Sequence, residues 1–100
     1  MSGLIEKSKI SPEEEIKEEL AGAITYYAEA TVVDLMNLTH IDEAQRDWSR
    51  LMGLCIAAQI VFRRGDFSPY ELAMEYIKKA CELYEEDFNE CENLIRYKLS

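Results

Sequence analysis

Residues 41–62, "IDEAQRDWSRLMGLCIAAQIVF", decide the fold. Ile41, Ala44, Trp48, Leu51, Cys55, Ala58 and Phe62 recur at alternating spacings of three and four. That is the period of one face of an α-helix; a half-buried strand would alternate every second residue. Met52, Leu54, Ile56, Ile60 and Val61 add apolar side chains on the remaining faces. A helix that is apolar around most of its circumference has to be surrounded. Two sequence-adjacent helices cover only part of it, so the stretch predicts a further partner. A second copy of the chain is the simplest one, because symmetry doubles each contact.

The helix starts lie on either side of this stretch. Ser11-Pro12-Glu13-Glu14 places a capping hydroxyl, then Pro at the first helical position, then an acid three residues after the cap. Ser68-Pro69-Tyr70-Glu71 repeats the plan, and Thr39-His40-Ile41-Asp42 is a weaker version. The hydroxyl accepts from an unpaired first-turn N–H, and Pro is tolerated there because its missing N–H would be unpaired anyway. Between helices, residues 61–70 read "VFRRGDFSPY". Arg63 and Arg64 suit the negative end of a helix dipole and Gly65 suits a left-handed terminator. The Arg64-Gly65-Asp66 triplet is therefore read as a helix stop and not as an adhesion motif.

The expected fold class is all-α, with three long antiparallel helices at about 12–37, 40–64 and 69–98 forming a small bundle completed by dimerisation. Residues 1–10 are expected to be a flexible tail and 11–100 a single helical domain. The first helix offers the stripe Ile16, Leu20, Ala23, Tyr27, Thr31, Leu35 and Leu38. The third offers Tyr70, Ala73, Ile77, Ala80, Tyr84, Phe88, Cys91 and Ile95. Sequential antiparallel packing would set Trp48 near Tyr84 and Thr31, and Arg46 and Arg50 against Glu82, Glu85 and Glu86. Arg63 and Arg64 would approach Glu13 to Glu15.

Residues 57–83, "AAQIVFRRGDF" followed by "ELAMEYIKKACEL", resemble one tetratricopeptide helical hairpin. Gly65, Asp66 and Phe67 match the turn, and Ala73, Tyr76, Ala80 and Leu83 match the second helix. The resemblance implies an αα-hairpin. Ser68, Pro69 and Tyr70 add about one helical turn to the pattern, and no second copy of the repeat occurs.

The net charge of −9 disfavours nucleic acid and anionic membrane surfaces and favours basic partners. The apolar stretches fall short of the roughly 20 residues of a membrane span, and no signal peptide is evident. The odd set Cys55, Cys81 and Cys91 is widely spaced and argues against zinc or a disulfide framework, so a cytoplasmic location is expected.

His40 is the one histidine and sits in a turn, so no nucleophile–histidine set can be assembled without it. Glu14, Glu15 and Glu18 resemble the first half of the metal site of all-α nucleotide pyrophosphohydrolases, but the matching ExxD on the next helix is missing. "EELAGAITYYAEA" (18–30) resembles the first helix of a di-iron bundle, without the Glu-x-x-His such bundles need. No catalytic residue, metal site or cofactor is therefore expected.

The leading expectation is a small, acidic, non-catalytic interaction protein, a regulator, adaptor or inhibitor acting by surface contact or charge mimicry. The alternatives are a metal-dependent hydrolase using the carboxylates of the first helix, or a structural subunit of a larger complex. The densest acidic run, "ELYEEDFNECE" (82–92), makes Glu85, Glu86, Glu90 and Glu92, with Tyr97, the partner-binding candidates. The partner would be basic or itself a nucleic-acid-binding protein. Val32, Val33, Met36, Met52, Ile56 and Ile60 are the dimer-interface candidates.

Overall fold

The computed structural model describes residues 11–37, 40–62 and 68–99. Among them the chain is all-helical. Helix α1 spans Pro12–Met36, α2 Ile41–Val61, α3 Pro69–Leu83 and α4 Phe88–Leu94, and a π-helical turn, Ile95–Leu99, continues α4. The N-terminal ten residues, Thr39 and Arg63 to Phe67 lie outside the described residues, and with them the tail, one cap and the Arg-Gly-Asp reading.

Two helix starts form as their sequence dictates. Ser11 Oγ accepts from Glu14 N at 3.1 Å and Ser68 Oγ accepts from Glu71 N at 3.1 Å, each with Pro next in sequence. Helix α2 has His40 at its N-cap, with no side-chain capping bond.

The third helix is not continuous, which corrects the expected span 69–98. It ends at Leu83, and Glu85 adopts a left-handed φ of 56°. Glu86 N donates to Cys81 O at 2.8 Å and Glu85 N lies 3.4 Å from Glu82 O, so the last carbonyls of α3 are capped by the chain folding back. Asp87 then starts α4, its carboxylate accepting from Glu90 N at 3.2 Å. The Asp87-Phe88-Asn89-Glu90 box was a legible helix start. A left-handed L-residue costs about 1–2 kcal/mol. Glu85→Gly is therefore expected to raise stability by about 1 kcal/mol in denaturant titration. No gain would contradict a left-handed Glu85.

Helices α1 and α2 form an antiparallel hairpin, with the Arg50 guanidinium 5.8 Å above the Tyr27 ring. Helix α3 touches both. Tyr70 packs edge-on against Trp48 at 6.0 Å between ring centroids, and Tyr84 Oη donates to Glu29 Oε1 at 3.1 Å. Thr25 shares a recess with Tyr76, and Val33 shares one with Tyr84, so α1 and α3 run in the same direction. The α4 segment folds back along α3, bringing the Lys78 ammonium 6.0 Å from the Phe88 ring centre.

This arrangement corrects the expected register. Trp48 meets Tyr70, not Tyr84, and Arg50 turns to Tyr27 instead of the acids of residues 82–86. Helix α3 begins well back along α2 from its Phe62 end, so α2 and α3 are not the tight tetratricopeptide-like hairpin.

The core joins both hairpins. Ile24, Leu35, Leu51, Cys55, Ile77, Cys91 and Ile95 are all fully buried. The expected stripe of α2 holds from Ala44 to Ala58. In α1 the buried line is Ile24, Ala28, Thr31, Val32 and Leu35, and Ile16 is 53 % exposed. The apolar surplus of α1 allowed two stripes, and the placement of α3 selected this one. Thr31 is buried without penalty because its hydroxyl donates to Tyr27 O at 2.6 Å.

Candidate interaction surfaces

Helix α3 packs beside the part of α1 that follows Thr25, and so leaves the opposite end of the α1–α2 hairpin thinly covered. None of residues 12–23 of α1 is buried. At this open end Ile16, Ile60 and Val61 line a recess of about 370 Å³ together with Glu13. Ile56 is 55 % and Ile60 77 % exposed. From Leu51 to Phe62 the sequence has no Asp, Glu, Lys, Arg or His, in a chain of net charge −9. The facing part of α1 carries Glu13, Glu14, Glu15, Glu18 and Glu19 against Lys17, which lies 3.7 Å from Glu13. The open end thus has one acidic wall and one uncharged apolar wall.

The interface candidates fall into separate groups. Ile56 and Ile60 sit at the open end, and Met52 is half-buried on the same helix. Val33 and Met36 line a different recess with Tyr84 and Glu86. Val32 is 0 % exposed in the chain's own core and offers no surface, which corrects its selection. The periodicity of α1 could not separate Val32 from Val33, since the helix that covers one of them arrives from much later in the chain. Exposed Ile16 was missed as a surface residue because it was assigned to the core stripe.

The acidic candidates are also distributed. Glu85 is exposed in the reversal, Glu86 is half-buried beside Met36, and Glu90 is exposed on α4. Glu92 is half-buried, 4.0 Å from Arg96, and lines a recess between α3 and α4. Tyr97 is 84 % exposed. The break at Glu85 turns a continuous ridge into two hairpin arms, so Glu86 and Glu92 serve different recesses.

One polar cluster lies near the α1–α2 turn. His40 Nδ1 is 3.5 Å from Asp34 Oδ1, a partner the sequence did not disclose. Burial, then the hydrogen bond and charge of Asp34, raise the Asp47 carboxyl above its ordinary 3.8, with partial relief from Arg50 and Arg46. The folded chain holds this proton more tightly than the unfolded chain. Stability is therefore lost as pH rises from 3.8 through the raised folded value. Asp47→Asn is expected to raise the thermal midpoint at pH 7, with the difference shrinking towards pH 3 where both chains carry an uncharged group. A pH-independent difference would contradict this assignment.

The thiols are chemically quiet. Burial pushes Cys55 up to about 11 and Cys91 up to about 12, and it raises Cys81 as well. Cys91 Sγ lies 3.5 Å from Met36 Sδ. A protonated, buried thiol is a poor nucleophile or metal ligand. Glu14, Glu15 and Glu18 are exposed on the first turns of α1. Among the described residues no group of three or more His, Cys, Asp or Glu side chains is arranged to hold a metal ion, and no helix is long and apolar enough to cross a membrane. Comparison with known protein families, with characterised proteins and with solved structures finds no match to this chain.

Proposed function

We propose that this chain is a non-catalytic interaction protein that pairs with a second copy of itself and presents an acidic surface to a basic protein partner in the cytoplasm. The open end of the α1–α2 hairpin carries the reading. Ile56 and Ile60 are more than half exposed on a helix whose other face is core, and Ile16 adds to them from α1. Apolar surface of this kind on a helix face favours association. Pairing through the uncharged Leu51–Phe62 stretch of α2 would bring apolar side chains together, with the acids of α1, Glu13 among them, at the edge of the contact. Added salt would then strengthen the dimer by screening the remaining repulsion.

In this reading a dimer presents two acidic α3–α4 arms, and action is by occupying a partner's surface. The wide spacing of the three cysteines, which are buried and free, fits the expected cytoplasmic setting. Sedimentation equilibrium of the chain and of its Ile56→Asp/Ile60→Asp variant tests the reading. It expects a dimer for the first and a folded monomer for the second. A monomeric parent chain would contradict self-association.

A further inference from the structure

Two of the three buried thiols are neighbours. Cys81 stands near the end of α3 and Cys91 is the buried residue of α4, at 1 % and 0 % exposure. Their side chains hydrogen-bond to each other across the reversal at Glu85. Two further contacts fix the same pairing of α3 with α4: the Lys78 ammonium lies 6.0 Å from the Phe88 ring centre, and Glu86 N donates to Cys81 O. We propose that Cys81 and Cys91 form a reversible disulfide when a hydroperoxide reaches them, and that this bond clamps α4 onto α3. The proposal does not depend on the interaction reading above. It concerns how the arm that carries Glu85, Glu86, Glu90 and Glu92 is held.

In the closed arm both thiols are protonated and shielded, so reaction needs α4 to lift. Seven residues, Phe88–Leu94, are too few for a helix that is stable by itself, so packing holds α4 in place. A segment of this kind opens more readily than the whole domain. Opening returns the thiols towards their ordinary reactivity. Burial raises both thiols, and the bond between them then lowers Cys81 and raises Cys91, so Cys81 gives up its proton first. The Cys81 thiolate attacks one oxygen of hydrogen peroxide. The O–O bond breaks, leaving a sulfenic acid on Cys81 and a hydroxide that takes up the released proton as water. Cys91 sulfur then attacks the sulfenic sulfur; the S–O bond breaks and the hydroxyl leaves with the Cys91 proton as a second water. Two thiols are oxidised and one peroxide is reduced. The carboxylates of Glu82, Glu86, Asp87 and Glu90 act on the pair. They disfavour anionic oxidants such as glutathione disulfide and leave the neutral peroxide as the suitable one.

The test treats the full chain with hydrogen peroxide, then denatures it, alkylates it and measures its mass. The expected product is a single chain that has lost two hydrogens and takes an alkyl group only on Cys55, with reductant restoring all three sites. Amides of α4 should exchange at least about tenfold more slowly after oxidation. Cys91→Ser should leave a Cys81 sulfenic acid that dimedone captures, and Cys81→Ser should leave none on Cys91. Asp87→Ala removes the α4 cap, whose carboxylate accepts from Glu90 N at 3.2 Å, and should speed disulfide formation about fivefold. Cys55→Ser should form the bond as the parent does. Three alkylated thiols after peroxide, a bond that includes Cys55, chains joined covalently in pairs, unchanged exchange in α4, or a rate indifferent to Asp87→Ala would each overturn the proposal.

Discussion

Trp48→Ala is expected to cost about 3–5 kcal/mol, the range for truncating a large aromatic in a packed core. Trp48 is 5 % exposed on α2, and its ring meets Tyr70 at the start of α3. The substitution removes the anvil on which the second hairpin sits, in addition to burying less apolar area. Against a total stability of about 5–15 kcal/mol for a domain, that is a large fraction. Denaturant titration by circular dichroism gives the value. A double-mutant cycle then tests the register itself. Trp48 with Tyr70 should show a coupling of about 0.5–1.5 kcal/mol, as edge-to-face aromatic pairs do. Trp48 with Tyr84 should show none, because the Tyr84 hydroxyl is engaged with Glu29. Coupling to Tyr84 would restore the simple antiparallel packing.

That register marks where sequence reasoning stopped. Helix class, the Ser11 and Ser68 starts and the buried face of α2 followed from local rules: capping chemistry and a three-four period. Local rules say nothing about how far back along α2 the chain returns before α3 begins. The α1 stripe held at Thr31 and Leu35 but not at Ile16, since apolar residues lay on two faces and a distant helix determined which one was covered. The break at Glu85 was partly legible. Asp87 and Glu90 are spaced as a helix start, but a left-handed Glu gives no compositional signal, unlike Gly at such a position. The site followed the same pattern. Acidity over residues 82–92 pointed to the C-terminal arm. Glu92 comes alongside Glu71 and Glu75 only because α4 folds back on α3.

Ile56→Asp/Ile60→Asp is expected to abolish self-association with little effect on folding. The two isoleucines are 55 % and 77 % exposed, so carboxylates placed there remain solvated in the monomer. In a dimer they would be brought against their own copies on a face that otherwise carries no charge, with like-charge repulsion and the desolvation of buried charge acting together. The expected result is a helical monomer with a circular dichroism spectrum like that of the parent. Val33→Asp, in the separate recess beside Tyr84, should leave association intact. The reverse outcome would move the interface to that recess.

The most direct test of the central claim is sedimentation equilibrium of the unaltered chain across a range of concentrations and at two salt strengths. Self-association through the uncharged face of α2 predicts a reversible dimer of twice 11.6 kDa, tightened by added salt. A mass of 11.6 kDa at every concentration, or a dimer that dissociates as salt is added, would contradict it.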